Sequence, residues 1–313
     1  MTAKKCSLGR TMSDPAVPRS SVERAEFPGL VASFFTLSGA GFVEPPRNSF
    51  IERCEAAAAA GFTGIGLHSD DLPRTIAAGV DVPEMQAVLR TNGLELVEIE
   101  FLAGWAFGAG ESGRISPSLA GIEAVADALG GRQVSAGEFS GDLRLDTVDA
   151  LDSAAKALRA NANRLAQRGL LVALESFPWS ALSNIGIAID LLRRADAPNA
   201  GLLIDVWHFY NGGGHPEQLV DLPTAGITGV QLNDGPLVHA NFQQHARAER
   251  QLPGEGELDV VGLINAVRRA GFTGPYCVES NTPEFRNLPV AEAARRAADT
   301  ATSVLRSAGV LAS

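Results

Sequence analysis

Four apolar runs in the second half of the chain each break off at an oxygen-bearing side chain, a pattern suited to holding a cation and moving a proton. They are Leu171-Val-Ala-Leu-Glu175, Leu202-Leu-Ile-Asp205 with His208 three residues on, Ile227-Thr-Gly-Val-Gln231 running on to Asp234, and Pro275-Tyr-Cys-Val-Glu279. Alone, the Asp205/His208 pair reads equally well as a turn with a local hydrogen bond. As neighbouring parallel strands covered on both faces, however, the four runs share one geometry. Their period of two sends Glu175, Asp205, Gln231 and Glu279 the same way as Ala173, Leu203, Gly229 and Cys277 behind them, which is inward. Converging carboxylates raise one another's pKa unless a cation sits among them. One divalent ion resolves the repulsion, and an oxygen shell without thiolate favours Mn2+, Mg2+ or Co2+ over Zn2+.

The elements that must position these groups are punctuated by glycine. Expected strands at 30–38, 62–67, 94–101 and 133–139 precede the four runs, and helices at 50–60, 83–92, 116–129, 147–168 and 290–307 lie between and after them. Ser49-Phe-Ile-Glu52 opens the first helix as a capping box, and Gly61 closes it. Ala-Gly-Phe-Thr-Gly occurs at 60–64 and again at 270–274, each time between a helix end and a strand start. Eight such β-then-α units over roughly 280 residues fit a single-domain α/β fold, the (β/α)8 barrel, whose active site lies at the carboxyl ends of its strands. An open doubly wound sheet would want a glycine-rich phosphate turn after the first strand, where Leu37-Ser-Gly-Ala-Gly-Phe42 offers only a GxG. The expected division is a loosely ordered extension over 1–28 and the barrel over 29–313.

Composition narrows the partners. A net charge of −10 argues against binding nucleic acid or anionic lipid, and no apolar run is long enough to span a bilayer. Cys6, Cys54 and Cys277 make no metal or disulfide spacing, so a reducing cytoplasm fits. The lysines are Lys4, Lys5 and Lys156 alone, placed poorly for Schiff-base chemistry.

On Ala173-Leu-Glu175, Ile204-Asp-Val-Trp-His208, Val230-Gln-Leu-Asn-Asp234, Arg250-Gln-Leu-Pro-Gly-Glu-Gly256 and Val278-Glu279, the chain resembles the xylose-isomerase-like TIM-barrel superfamily of sugar isomerases, epimerases and dehydratases. The resemblance spans residues 30–305. It implies that Glu175, Asp205 and Glu279 bind one divalent metal and that His208 and Arg250 touch the substrate. The fourth ligand in the family is often histidine; here it is Gln231, as in the 3-dehydroshikimate dehydratases. A surface salt bridge to Glu249 or Glu255 is the alternative for Arg250.

The expected function is a metal-dependent isomerase or epimerase of a keto sugar or polyol, with Glu175 and Glu279 as acid and base and a metal-stabilised enediolate. A dehydratase acting on a cyclic keto acid shares the first step, and a non-catalytic binding barrel is the third reading. His68, Glu100 and Trp105, close to the ends of the second and third strands, complete the candidate substrate contacts. An abasic-site endonuclease would need several metals and many histidines on a basic groove, against five histidines and a charge of −10. The chain is compatible with a homo-oligomer.

Overall fold

A computed structural model describes residues 29–107, 117–139, 143–220, 222 and 226–311. The expected extension over 1–28, and the expected helix start at Ser116, lie outside the described residues. The strands are β1 (Leu30–Ala32), β2 (Gly64–His68), β3 (Glu95–Leu102), β4 (Gln133–Ala136), β5 (Leu171–Glu175), β6 (Ala200–Asp205), β7 (Ile227–Leu232) and β8 (Tyr276–Val278). All pair in parallel in chain order, and β8 closes on β1, so the sheet is a barrel and not an open sheet.

Around it stand α1 (Phe34–Ser38), α2 (Phe50–Ala59), α3 (Asp71–Ala77), α4 (Val82–Thr91), α5 (Pro117–Leu129), α6 (Val148–Ala166), α7 (Ile185–Ala195), α8 (Val206–Asn211), α9 (Phe242–Ala248), α10 (Val260–Arg269) and α11 (Val290–Ser307). The longer ones turn an apolar stripe inward and make one continuous core with the outer face of the barrel. Among the described residues no helix is long and apolar enough to cross a membrane.

The repeated pentapeptide makes one device twice. Gly61 and Gly271 both adopt φ +89, and the next amide, of Phe62 or Phe272, bonds back to the carbonyl of Ala57 or Val267 at 3.0 Å. Each phenylalanine is thereby turned into the core.

Several expected boundaries shift for local reasons. The first strand stops at Ala32 because Ser33 caps α1, its Oγ accepting from the Thr36 amide at 3.3 Å. The fourth stops at Ala136, ahead of Gly137. Strand β3 contains a bulge: Ile65 pairs with Leu96 but Gly66 pairs with Glu98, leaving Val97 as the extra residue. Strand β7 has another, since Leu202 and Leu203 face Ile227 and Gly229 and skip Thr228.

A buried ion pair braces α2 against the first turn of α3 at the site end of the barrel. Arg53 and Asp71 are nearly inaccessible and directly paired, and the guanidinium lies over the Phe34 ring at 4.9 Å. Removing one member leaves the other charged and dry. We expect Arg53→Met to lower the unfolding free energy by about 3 kcal/mol, and Arg53→Met combined with Asp71→Leu to recover most of it. Urea unfolding of the three proteins checks this, and a single variant as stable as the parent would remove the bracing role.

Candidate active site

The four expected strand ends meet at one end of the barrel. Glu175 ends β5, Asp205 ends β6, Gln231 lies in β7 with its Cα facing Asp205, and Glu279 follows β8 directly; all four are buried. Glu175, Asp205 and His208 offer ligand atoms that all lie within 4.8 Å of one another, a group that could hold a metal ion. Glu279 joins them through Arg250.

Asp205 has two functions at once. Its Oδ1 accepts from the His208 amide at 2.8 Å, which makes it the cap of α8 and explains the spacing of three residues. Its Oδ2 accepts from Asn233 Nδ2 at 2.6 Å and from Arg250 Nη1 at 3.1 Å. Burial alone would raise its pKa, but the Arg250 guanidinium, the His208 amide and Asn233 hold it below the usual aspartate value.

Arg250 is not on the surface. Only 3% exposed, it donates from Nη1 to Glu279 Oε2 at 2.6 Å and from Nη2 to His208 Nε2 at 3.0 Å. Glu249 pairs instead with His245, and Glu255 with Arg296. A guanidinium has no acceptor, so His208 Nε2 is bare and Nδ1 carries the proton donated to Glu175 Oε1 at 2.7 Å. The imidazole is neutral, and burial pushes its pKa down to about 3.

The loop that carries Arg250 is held by Asp234, at the end of the β7 run. Its backbone exchanges two 2.9 Å bonds with Gln251, and its carboxylate accepts from the amides of Gly235, Gly254 and Leu258 at 2.8, 3.1 and 2.9 Å. A Cβ on Gly256 would lie 2.3 Å from Asp234 Oδ1, so that turn requires glycine. Asn233 and Asp234 lie within a quoted motif, but their roles as holder of Asp205 and anchor of the loop were not read from the sequence.

Glu175, His208, Gln231, Arg250 and Glu279 border a cavity of about 530 Å3 that also takes in His68 and Glu100. The Asp70 amide donates to His68 Nδ1 at 3.2 Å, and burial lowers the pKa of this ring as well. Glu100 is 1% exposed with neither carboxyl oxygen hydrogen-bonded, and burial together with the neighbouring Glu98 pushes its pKa well up. Trp105 is elsewhere: it lies in a 3-10 turn packed on α6, inside the core and away from the cavity wall. The aromatic wall is instead Phe101, Phe139, Phe177 and Trp179, with ring centroids 4.6 to 6.0 Å apart between neighbours and Phe177 4.7 Å from His208. It depends on Gly137, where a Cβ would meet Phe177 at 2.4 Å and Phe101 at 2.9 Å.

Sequence reading missed Glu98. It is fully buried in β3 and accepts from Ser135 Oγ at 2.7 Å. Glu98 and Glu100 are two residues apart on one strand, but the bulge at Val97 decides that they face inward. The site thus gathers Glu98, Glu100, Glu175, Asp205 and Glu279, of which Asp205 and Glu279 bond to the one buried guanidinium, and burial with mutual repulsion pushes Glu175 well up and Glu279 to about 7. Gln231 Oε1 is a buried acceptor without a donor. Surplus buried negative charge beside an unpartnered amide oxygen is a donor set that fits a divalent ion.

The chain is similar to 3-dehydroshikimate dehydratase of Pseudomonas aeruginosa, 31% identical over 239 residues that make up 76% of this chain and 37% of that protein. It is similar to inosose isomerase of Halalkalibacterium halodurans, 26% identical over 139 residues, 44% of this chain and 49% of the other. The chain therefore spans less than half the length of these curated relatives. Its backbone resembles that of the IOLI protein solved with a zinc atom, with a TM-score of 0.78 at 18% identity over 89% of this chain and 98% of that one. The model of the family described as "Xylose isomerase-like TIM barrel" matches residues 54–307, and the chain belongs to that family.

Proposed function

We propose that this protein is a divalent-metal-dependent enzyme that removes a proton beside a carbonyl of a small hydroxylated compound and expels a neighbouring hydroxyl as water. The observation that carries this reading is the convergence of Glu175, Glu279 and the unpartnered Gln231 Oε1 on one cavity, with Asp205 directly behind them, paired with the Arg250 that also borders it. These four side chains would hold the ion, which when bound supplies Lewis-acid polarisation of a substrate oxygen. Glu175 and Glu279 are the groups that take and return the proton. Arg250 presents donors to an anionic or hydroxyl group, and Phe177 and Trp179 cover a flat apolar face. A ring carrying a carboxylate suits that pairing of guanidinium and aromatic wall. The similarity to a dehydratase over three quarters of the chain supports loss of water as the outcome. Cys54 and Cys277 are buried free thiols, which suits a reducing cytoplasm.

Isomerisation or epimerisation is the second reading, favoured by Glu175 and Glu279 standing three strands apart around the barrel mouth. A proton taken by one could be returned by the other to a neighbouring carbon or the opposite face.

We expect exhaustive chelation to abolish turnover and Mn2+, Mg2+ or Co2+ to restore it. The assay offers cyclic keto acids and keto sugars in parallel and follows water loss and solvent-deuterium uptake. Deuterium uptake without dehydration would select the second reading, and full activity after chelation would defeat both.

Glu175→Gln and Glu279→Gln should each fold with parent-like circular dichroism yet lose a factor on the order of 100 or more in turnover. Parent-rate proton exchange in both variants would show that neither is the base.

Imidazole suits a softer ion than an amide oxygen does, so Gln231→His should raise the affinity for Zn2+ relative to Mn2+. Competitive metal titration reads the ratio, and an unchanged ratio would mean that Gln231 does not touch the ion.

A further inference from the structure

A carboxamide is nearly symmetric in shape but opposite in chemistry at its two ends, so a glutamine is preorganised for a cation when something holds its oxygen toward the ion. In this barrel that something is Glu98. Its carboxylate is surrounded by donors from three other strands: Ser135 Oγ at 2.7 Å and Gln133 Nε2 at 3.4 Å from β4, Gln231 Nε2 at 3.4 and 3.5 Å to its two oxygens from β7, and Cys277 Sγ at 3.5 Å from β8. Both Glu98 oxygens accept from Gln231 Nε2, so the hydrogen-bearing end of that amide is the end turned toward Glu98. Oε1 is then the end left without a partner, in a side chain that is 2% exposed and borders the cavity.

We propose that Glu98 is the positioning residue of the site, the group that orients Gln231 so that its oxygen, not its nitrogen, faces the cation. This rests on the reading that a divalent ion binds at Gln231. Glu98 does not itself need to touch the ion. After the substitution Glu98→Gln, the Gln231 amide could present either end, and the end carrying hydrogens repels a cation. The bulge at Val97 is part of the device, because it brings Glu98 into register with Gln133 of β4 and with Gly66 of β2.

A buried negative charge would also attract a cation from a distance, and the test must separate that from orientation. Mn2+ affinity is measured by the electron-spin signal of the free ion for the parent, Glu98→Gln, Glu98→Asp, Gln231→Ala and Glu98→Gln with Gln231→Ala, with thermal midpoints recorded alongside. Orientation predicts that Glu98→Gln weakens Mn2+ binding by roughly 10- to 100-fold, the range for outer partners of metal ligands. It predicts no further loss when the same change is made in the Gln231→Ala background. Glu98→Asp keeps the charge but withdraws it from the amide by one methylene, and it too should weaken binding. An equal loss from Glu98→Gln in both backgrounds, or parent-like affinity in Glu98→Asp, would overturn the proposal in favour of simple attraction. A parent protein that binds no Mn2+ would overturn the metal reading itself, a distinct result. Should Glu98→Gln fail to fold, Glu98→Asp decides alone.

Discussion

Carboxylates buried beside one another in a dry pocket destabilise each other, and the arrangement at this end of the barrel is organised by that repulsion. Asp205 is the acid kept low, because Asn233, Arg250 and the first turn of α8 all donate to it. Glu98 is satisfied by hydroxyl, amide and thiol donors, whereas Glu100 has none and is driven toward the protonated form. Glu175 is pushed well up as Glu100 is and Glu279 to about 7, each tied to one member of the His208/Arg250 pair. A site with this much unbalanced negative potential attracts cations and, without one, holds protons more tightly than an isolated carboxylate does.

Precision comes from the surrounding segments. Arg250 reaches the centre on a loop that has little freedom, since one aspartate gathers three of its backbone amides and a two-residue bridge ties it to the end of β7. His208 needs no loop at all, because the helix that carries it begins at the acid it accompanies. Both groups are therefore in place before any ligand arrives, which lowers the entropy lost on binding.

Much of this was legible in the sequence because strand ends are local. An apolar run that stops at Glu175 or Asp205 declares both its burial and the polar group at its tip, and eight strands with helices between them declare the barrel. What escaped depends on geometry between strands. No period of two can reveal that Val97 is an extra residue, so Glu98 read as one more acid on an alternating strand. Trp105 stood near a strand end in the sequence, but its 3-10 turn folds it into the core, while Phe101 and Phe177 take the wall. The first strand read as too long, because a serine cap inside an apolar stretch competes with the strand for the same residues.

Gly137 never borders the cavity, yet the depth of the aromatic wall depends on its lack of a side chain. The shape of the binding space is thus governed from behind, at a position with no part in the chemistry. A single methyl group added there would clash with two phenylalanine rings, one of them packed 4.7 Å from His208, without meeting an acid or the arginine. The outline of the cavity is therefore set in part by a residue that offers neither charge nor hydrogen-bonding side chain.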